Sequence, residues 1–242
     1  MAQILSQGPC PYCASHDAYT TYVDGGYHCF SCGAHQGENP YKTIKQKLNM
    51  RGTVILEIPP LPEDVVELPS NTKAHDWVKS YGITDAEIVT NEFLWSEEKS
   101  LLIYPVSDPA VGLLMWQARY FGDKPRHPKY LTRGLKDSVI HIIGADKKGP
   151  LVLTEDLLSA IKVGRQQAAM PLWGSALSRE MAQRLSIVHK DIRLWLDYDK
   201  REEAIKISLR HCLFLDIVPI ITKLDPKCYD DDEITEYLKD DD

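Results

Sequence analysis

Leu151-Val-Leu-Thr-Glu155 and Leu194-Trp-Leu-Asp-Tyr-Asp199 decide the fold. Each is a short apolar run that ends on acid, the pattern of a strand covered on both faces. Between the two runs, residues 156–163 predict a helix, and Ser178 is placed to cap another through 185. Residues 192–196 read as a buried strand. An amphipathic helix is expected over 202–215, a third strand over 218–222 and a last helix over 231–238. Strands alternating with helices build a parallel sheet with helices on its faces.

In such a sheet, chemistry gathers beyond the carboxyl ends of the strands. Glu155, Asp197 and Asp199 stand at those ends, and Asp225 follows the third strand in Lys223-Leu-Asp-Pro. Asp197 and Asp199, two apart on an extended chain, are expected to project from the same face. Carboxylates this close raise one another's pKa unless divalent cations neutralise them. A carboxylate cluster with room for water is the Mg²⁺ or Mn²⁺ arrangement of phosphoryl and nucleotidyl transfer. Acids at strand ends also serve as helix caps, a role open to Asp156 and in part to Asp199.

Upstream, Pro59, Pro60, Pro62 and Pro69 rule out continuous helix or central strand. Short helices are predicted over 74–80, ended by Gly82, and over 85–89, capped by Thr84. Strands are expected over 101–106 and 113–120, joined by a turn at Asp108-Pro109, and over 138–143.

The net charge of −7 hides a bipolar chain. Residues 225–242 hold nine acids and two lysines, a net of −7, so the first 224 residues are formally neutral. Residues 113–136 carry six basic side chains against Asp123 alone. A net of +5 there is a footprint for phosphate, with Tyr120, Phe121 and Tyr130 interleaved for stacking on bases. The bland alternative is a solvated hairpin loop with core aromatics.

Near the start, Cys10, Cys13, Cys29 and Cys32 form paired C-x2-C hairpins fifteen residues apart. This spacing closes a tetrahedral shell around Zn²⁺, and the metal supplies stability that about forty residues cannot bury for themselves. Paired disulfides are the alternative. No basic start or apolar run precedes the cysteines, which argues against an oxidising destination. Cys212 and Cys228 are expected to stay reduced. No apolar stretch is long enough to cross a bilayer.

A glutamate after an apolar strand, then Asp-x-Asp after another about forty residues on, resembles the signature of the TOPRIM domain. Cys10-Pro-Tyr-Cys13, Cys29-Phe-Ser-Cys32-Gly, Trp116-Gln-Ala-Arg119-Tyr and Lys129-Tyr-Leu-Thr-Arg-Gly134 narrow the resemblance. Their order is similar to that of phage-type DNA primases, as in the primase half of phage primase–helicases. The resemblance implies an α/β protein with a zinc ribbon at 1–37, a linker at 38–52, a basic α+β subdomain at 53–145 and a TOPRIM-type parallel sheet flanked by helices at 146–242. It also implies template-directed synthesis of short RNA primers on single-stranded DNA from ribonucleoside triphosphates.

The roles that follow are metal-dependent catalysis by Glu155, Asp197 and Asp199, with Asp225 a further Mg²⁺ or Mn²⁺ ligand. Arg119, Lys129 and Arg133 are expected to contact nucleotide or template, and Lys124 and Arg126 the template backbone. In the ribbon, Tyr22, Tyr27, His28 and Phe30 are expected to reach template bases, with packing against the ribbon the alternative for His28. Two departures stand out: Asp156 where the family commonly has Gly, and Lys200-Arg201-Glu202 where a small residue and Gly often follow. The first adds a carboxylate beside the metal site, and the second adds cations suited to a triphosphate.

No G-x4-G-K-[ST] phosphate loop occurs, so a separate replicative helicase is the expected partner, with DNA polymerase or single-strand-binding protein as others. The expected location is the cytoplasm, that of the host if phage-encoded. A TOPRIM nuclease and a non-enzymatic zinc/TOPRIM recombination mediator are the alternatives. A topoisomerase is disfavoured for want of a tyrosine-bearing gate domain.

Overall fold

The computed structural model describes residues 4–13, 15–23, 26–29, 32, 34–36, 60–108, 110, 112–124, 127–134, 136–189 and 191–239. They belong to two units, Met1–Leu56 and Glu57–Asp242. In the first, β1 (Ile4–Gly8), β2 (Tyr19–Tyr22), β3 (Tyr27–Cys29) and β4 (His35–Gln36) form an antiparallel sheet in chain order. Its buried residues, among those described, are Cys10, Thr20, His28 and Cys29, so a cysteine centre stands where a larger domain has an apolar core. The expected linker lies outside the described residues.

The second unit opens with two capped helices. Thr72 accepts from the His75 amide to start α1 (Lys73–Lys79), and Gly82, at φ 72°, turns the chain beyond it. Thr84 and Glu87 form a capping box at α2 (Asp85–Thr90). An antiparallel sheet follows, with β5 (Val66–Glu67), β6 (Leu94–Ser96), β7 (Leu101–Asp108), β8 (Gly112–Tyr120) and β9 (Tyr130–Gly134) as consecutive neighbours. The basic segment therefore supplies a strand, with Arg119 opposite Tyr130 and Gln117 opposite Thr132.

Then come β10 (Leu151–Thr154), α3 (Leu157–Gly164), β11 (Ala169–Pro171), α4 (Arg179–Val188), β12 (Asp191–Trp195), α5 (Arg201–His211), β13 (Asp216–Pro219) and α6 (Asp231–Leu238). The strands are parallel in the order β11-β10-β12-β13. Alternation sorts their side chains. Leu151, Leu153, Ile192, Leu194 and Ile217 share a core with residues of α4 and α5, whereas Val152 and Trp195 share one with α3 and α6.

Three expectations need correction. Residues 138–143 form no strand: Lys136–Ser138 is a 3-10 turn, and Ile143 makes one antiparallel bridge to Ala169. The partner strand is a three-residue edge, and Gly144, at φ 66°, turns the chain away from it. Helix α5 stops at His211 rather than 215, and the third strand ends at Pro219, which has no N–H to continue a ladder.

Helix α3 is buried along its whole length. Leu157, Leu158 and Ile161 enter the core shared with α1, α2 and the antiparallel sheet, while Ala160 and Val163 pack on the parallel sheet. Just beyond it, the Arg165 guanidinium donates to Glu87 Oε1 (2.7 Å) and Oε2 (2.8 Å), the Gly82 carbonyl (2.8 Å) and Asp231 Oδ1 (2.9 Å). This fork joins α2, the turn after α1 and α6. Arg165→Ala should cost roughly 1.5–3 kcal/mol, with the low end favoured by partial solvent exposure. Arg165→Lys should recover less than half of the loss, because lysine cannot reproduce the fork. Urea unfolding of the three proteins measures both effects.

Candidate active site

Two neighbouring parallel strands, β10 and β12, run into acid, whereas Asp225 lies six residues beyond the end of β13. Glu155 follows β10, and Asp156 caps α3 by accepting from the Ser159 amide at 2.8 Å. Asp197 follows β12, where the chain enters a 3-10 turn, Tyr198–Lys200. Asp199 therefore lies in a turn and not on an extended strand, although it lines the same cavity as Asp197. Asp225 precedes a second 3-10 turn, Pro226–Cys228, and accepts from the Tyr198 amide at 3.1 Å. All five carboxylates line one cavity of about 370 Å³.

Lys227, absent from the sequence-based expectations, sits among them with its side chain only 7% exposed. Its ammonium lies 2.7 Å from Asp156, 3.0 Å from Asp197 and 3.2 Å from Asp225. Lys200 donates to Asp199 at 2.6 Å. Glu155 Oε2 and Asp197 Oδ1 are buried with no hydrogen-bond partner among the described residues, so each can accept a cation. Burial and the Asp156 charge push Asp197 up to about 7 despite Lys227, and the same two causes raise Glu155. Burial would also raise Asp225, but Lys227 outweighs it and holds that carboxyl below its usual range.

The facing wall comes from the antiparallel sheet and its flanks. Arg119 stacks on the Trp77 ring at 4.0 Å and donates to the Tyr130 hydroxyl at 2.8 Å. Lys129, Tyr130, Thr132 and Gln117 line the same cavity, as does Tyr81. Gln117 braces this wall by donating to Thr132 Oγ1 (3.0 Å) and to the Trp173 carbonyl (3.2 Å). Trp173, at φ 56°, and Gly174, at φ 143°, bend the chain after β11 so that backbone reaches the cavity. Lys124 and Arg133 are exposed and do not line it, and Arg126 lies outside the described residues. Phe121 packs in the core against Trp77 and Trp95, which removes it from the stacking set. A larger groove, about 690 Å³, follows the β13 edge and is lined by none of the sequence-predicted site residues.

In the first unit the four cysteine sulfurs lie within 4.8 Å of one another. Cys10 and Cys32 are 3.8 Å apart and Cys13 and Cys29 3.9 Å. A tetrahedron with metal–sulfur bonds of about 2.3 Å has an edge of about 3.8 Å, so the cluster has the dimensions of a zinc site. All six cysteines are free thiols, which sets the disulfide alternative aside. His28 is buried, which is the packing alternative, and Phe30 lies outside the described residues. Tyr12, Tyr19 and Tyr27 form an aromatic cluster beside the cysteines, with Tyr12 stacked on Tyr27 at 5.7 Å.

No protein-family model and no curated protein matches the sequence. Solved structures do match the fold. The zinc-binding and RNA polymerase domains of the Aquifex aeolicus primase align with a TM-score of 0.56 at 15% identity, over 96% of this chain and 77% of that one. The primase fragment of the bacteriophage T7 primase-helicase protein gives 0.53 at 15% identity, over 98% and 100%. The DnaG catalytic core gives 0.51 at 13% identity, over 66% and 68%. The phage-type resemblance read from the motifs thus extends to the α/β architecture, with its cysteine ribbon and helix-flanked parallel sheet.

One carboxyl of this cavity should titrate near neutrality. Asp197 holds its proton more tightly folded than unfolded, so its contribution to stability declines as pH rises from about 4 to about 7. With zinc retained and no other divalent ion added, ¹³C NMR of labelled aspartates should show one carboxyl titrating near pH 7. The signal should vanish in Asp197→Asn.

Proposed function

We propose that this chain is a DNA primase of a phage replication system, making short RNA primers on single-stranded DNA. One observation carries the reading: a single cavity sets strand-end carboxylates against Arg119, Lys129 and Tyr130 of the antiparallel sheet. A polymerising site needs this polarity, because anionic template and triphosphate must be held beside groups that bind divalent metal.

Glu155, Asp197 and Asp199 are the catalytic set. They would hold Mg²⁺ or Mn²⁺, which when bound would supply positive charge to a triphosphate and to the pyrophosphate leaving group. Glu155, whose carboxyl is raised by burial, is suited to accept the proton of the attacking 3′-hydroxyl. Lys129 and Lys200 hold phosphates across the cavity, and Arg119, pinned on Trp77, presents charge with little ordering cost. Asp225, engaged by Lys227 and the Tyr198 amide, has less capacity for metal than the other three. Arg133, Lys124 and Arg126 contact template backbone outside the cavity.

The ribbon at 1–37 binds structural zinc through Cys10, Cys13, Cys29 and Cys32 and reads template bases, the tyrosine cluster offering stacking faces. Residues 38–52 link it to the basic subdomain at 53–145 and the TOPRIM subdomain at 146–242. Work at a replication fork calls for a helicase as partner, and for DNA polymerase or single-strand-binding protein, in the cytoplasm of the host. No helix among the described residues is long and apolar enough to cross a membrane.

Single-stranded templates, labelled ribonucleotides and Mg²⁺ or Mn²⁺ should yield short RNA products. Glu155→Gln and Asp197→Asn should each lower the yield at least about a hundredfold with the fold and zinc content unchanged. Cleaved template in place of primers would favour the nuclease, and neither product would overturn an enzymatic reading. Elemental analysis should find about one zinc per chain, and Cys29→Ser should lose it.

A further inference from the structure

We propose that Lys227 is a built-in cation that takes the place of one metal ion, so that the acidic cavity binds a single divalent cation. The inference rests on the primase reading for the use of that ion, but the geometry behind it does not. A lysine ammonium has three N–H donors. Here three carboxylates, Asp156, Asp197 and Asp225, lie within 3.2 Å of the nitrogen; the first two accept hydrogen bonds from it and the third is an ion pair. A charge this buried is tolerated only when paired in this way.

The spacing suits an ammonium and not a metal. Oxygens at 2.7–3.2 Å from a centre stand well outside the about 2.0–2.1 Å that Mg²⁺ demands. Among the described residues, only the four cysteines bring three or more ligand atoms within 4.8 Å of one another. Lys227 therefore spreads the carboxylates and satisfies one oxygen of each of its three partners. What it leaves buried and unbonded are Glu155 Oε2 and Asp197 Oδ1, the two oxygens that this proposal gives to the one ion.

Asp156 and Lys227 belong together in this account. Asp156 is an additional acid at the strand end, and its contact with Lys227 is the shortest of the three. Asp197 touches Lys227 through Oδ2 and offers Oδ1 to the ion, so the lysine also fixes how that carboxylate is turned. Lys227 is thus a positioning residue.

Counting ions tests the proposal without any nucleotide. The zinc-loaded full chain is titrated with Mn²⁺ into the millimolar range, and free Mn²⁺ is followed by electron paramagnetic resonance. One bound Mn²⁺ is expected in the parent and none in Glu155→Gln. Lys227→Met should bind two, because the freed carboxylates can close on a second ion. Two ions in the parent, or an unchanged count in folded Lys227→Met, overturns the proposal. If Lys227→Met fails to fold, the parent count still decides. Primer synthesis is assayed in parallel. Its absence in the parent counts against the primase reading alone, whereas primers made with two bound ions count against Lys227 alone.

Discussion

Helix α3 has no solvent-facing side, and the second unit is organised around that fact. Most surface helices carry one apolar stripe, whereas a helix apolar all round must be covered all round. Leu157, Leu158, Ile161 and Val163 each contribute about 1.5–3 kcal/mol of burial, the first three toward the antiparallel subdomain and Val163 toward the parallel sheet. The first turn of the same helix starts at Asp156, in the acidic cavity, and Arg165 clamps its far end. Glu155 and Asp156 are consequently carried at the start of a helix that packing fixes on every side. A site of this kind needs such rigidity, because carboxylates that repel would otherwise rotate apart.

Electrostatics sets the second constraint. Five carboxylates line one cavity, and burial together with the Asp156 charge works against ionisation of Glu155 and Asp197. The chain answers with two lysines at different depths. Lys200 pairs with exposed Asp199, and Lys227 is enclosed by three aspartates. Glu155 Oε2 and Asp197 Oδ1 are left without hydrogen-bond partners, so the open acceptors lie where chemistry is proposed. The facing wall follows the opposite rule. Arg119 is held by an aromatic face and a phenol rather than by acid, which leaves its charge available to an anion.

The ribbon depends on different physics. Its described interior is built from cysteine and small polar side chains, and its sulfurs already stand at the spacing of a tetrahedral shell. Backbone pairing brings this about: the Cys10 amide donates to Ser15 and the Cys29 amide to Ala34, which closes both turns. Metal affinity and folding are the same free energy in such a module.

The sequence by itself determined what is local. Capping residues Thr84, Asp156 and Ser178, the paired cysteine turns, and acids at the ends of apolar runs all act within a few residues, so their spacing announces them. The gathering of Glu155, Asp197, Asp199 and Asp225 beyond the carboxyl ends of a parallel sheet follows from the alternation of strand and helix, whereas the edge strand β11 and the strand order do not. Tertiary structure alone decided the rest. Asp197 and Asp199 share the cavity through a 3-10 turn, and the basic run became a strand because β8 offered a ladder to pair with. Lys227 carried no signal beyond lying two residues after Asp225. Its partners Asp156 and Asp197 are 71 and 30 residues away, and only folding brings an ammonium and those carboxylates into one low-dielectric space. Spacing encodes periodic and capping interactions, whereas the pairing of buried charges depends on distances that no stretch of sequence contains.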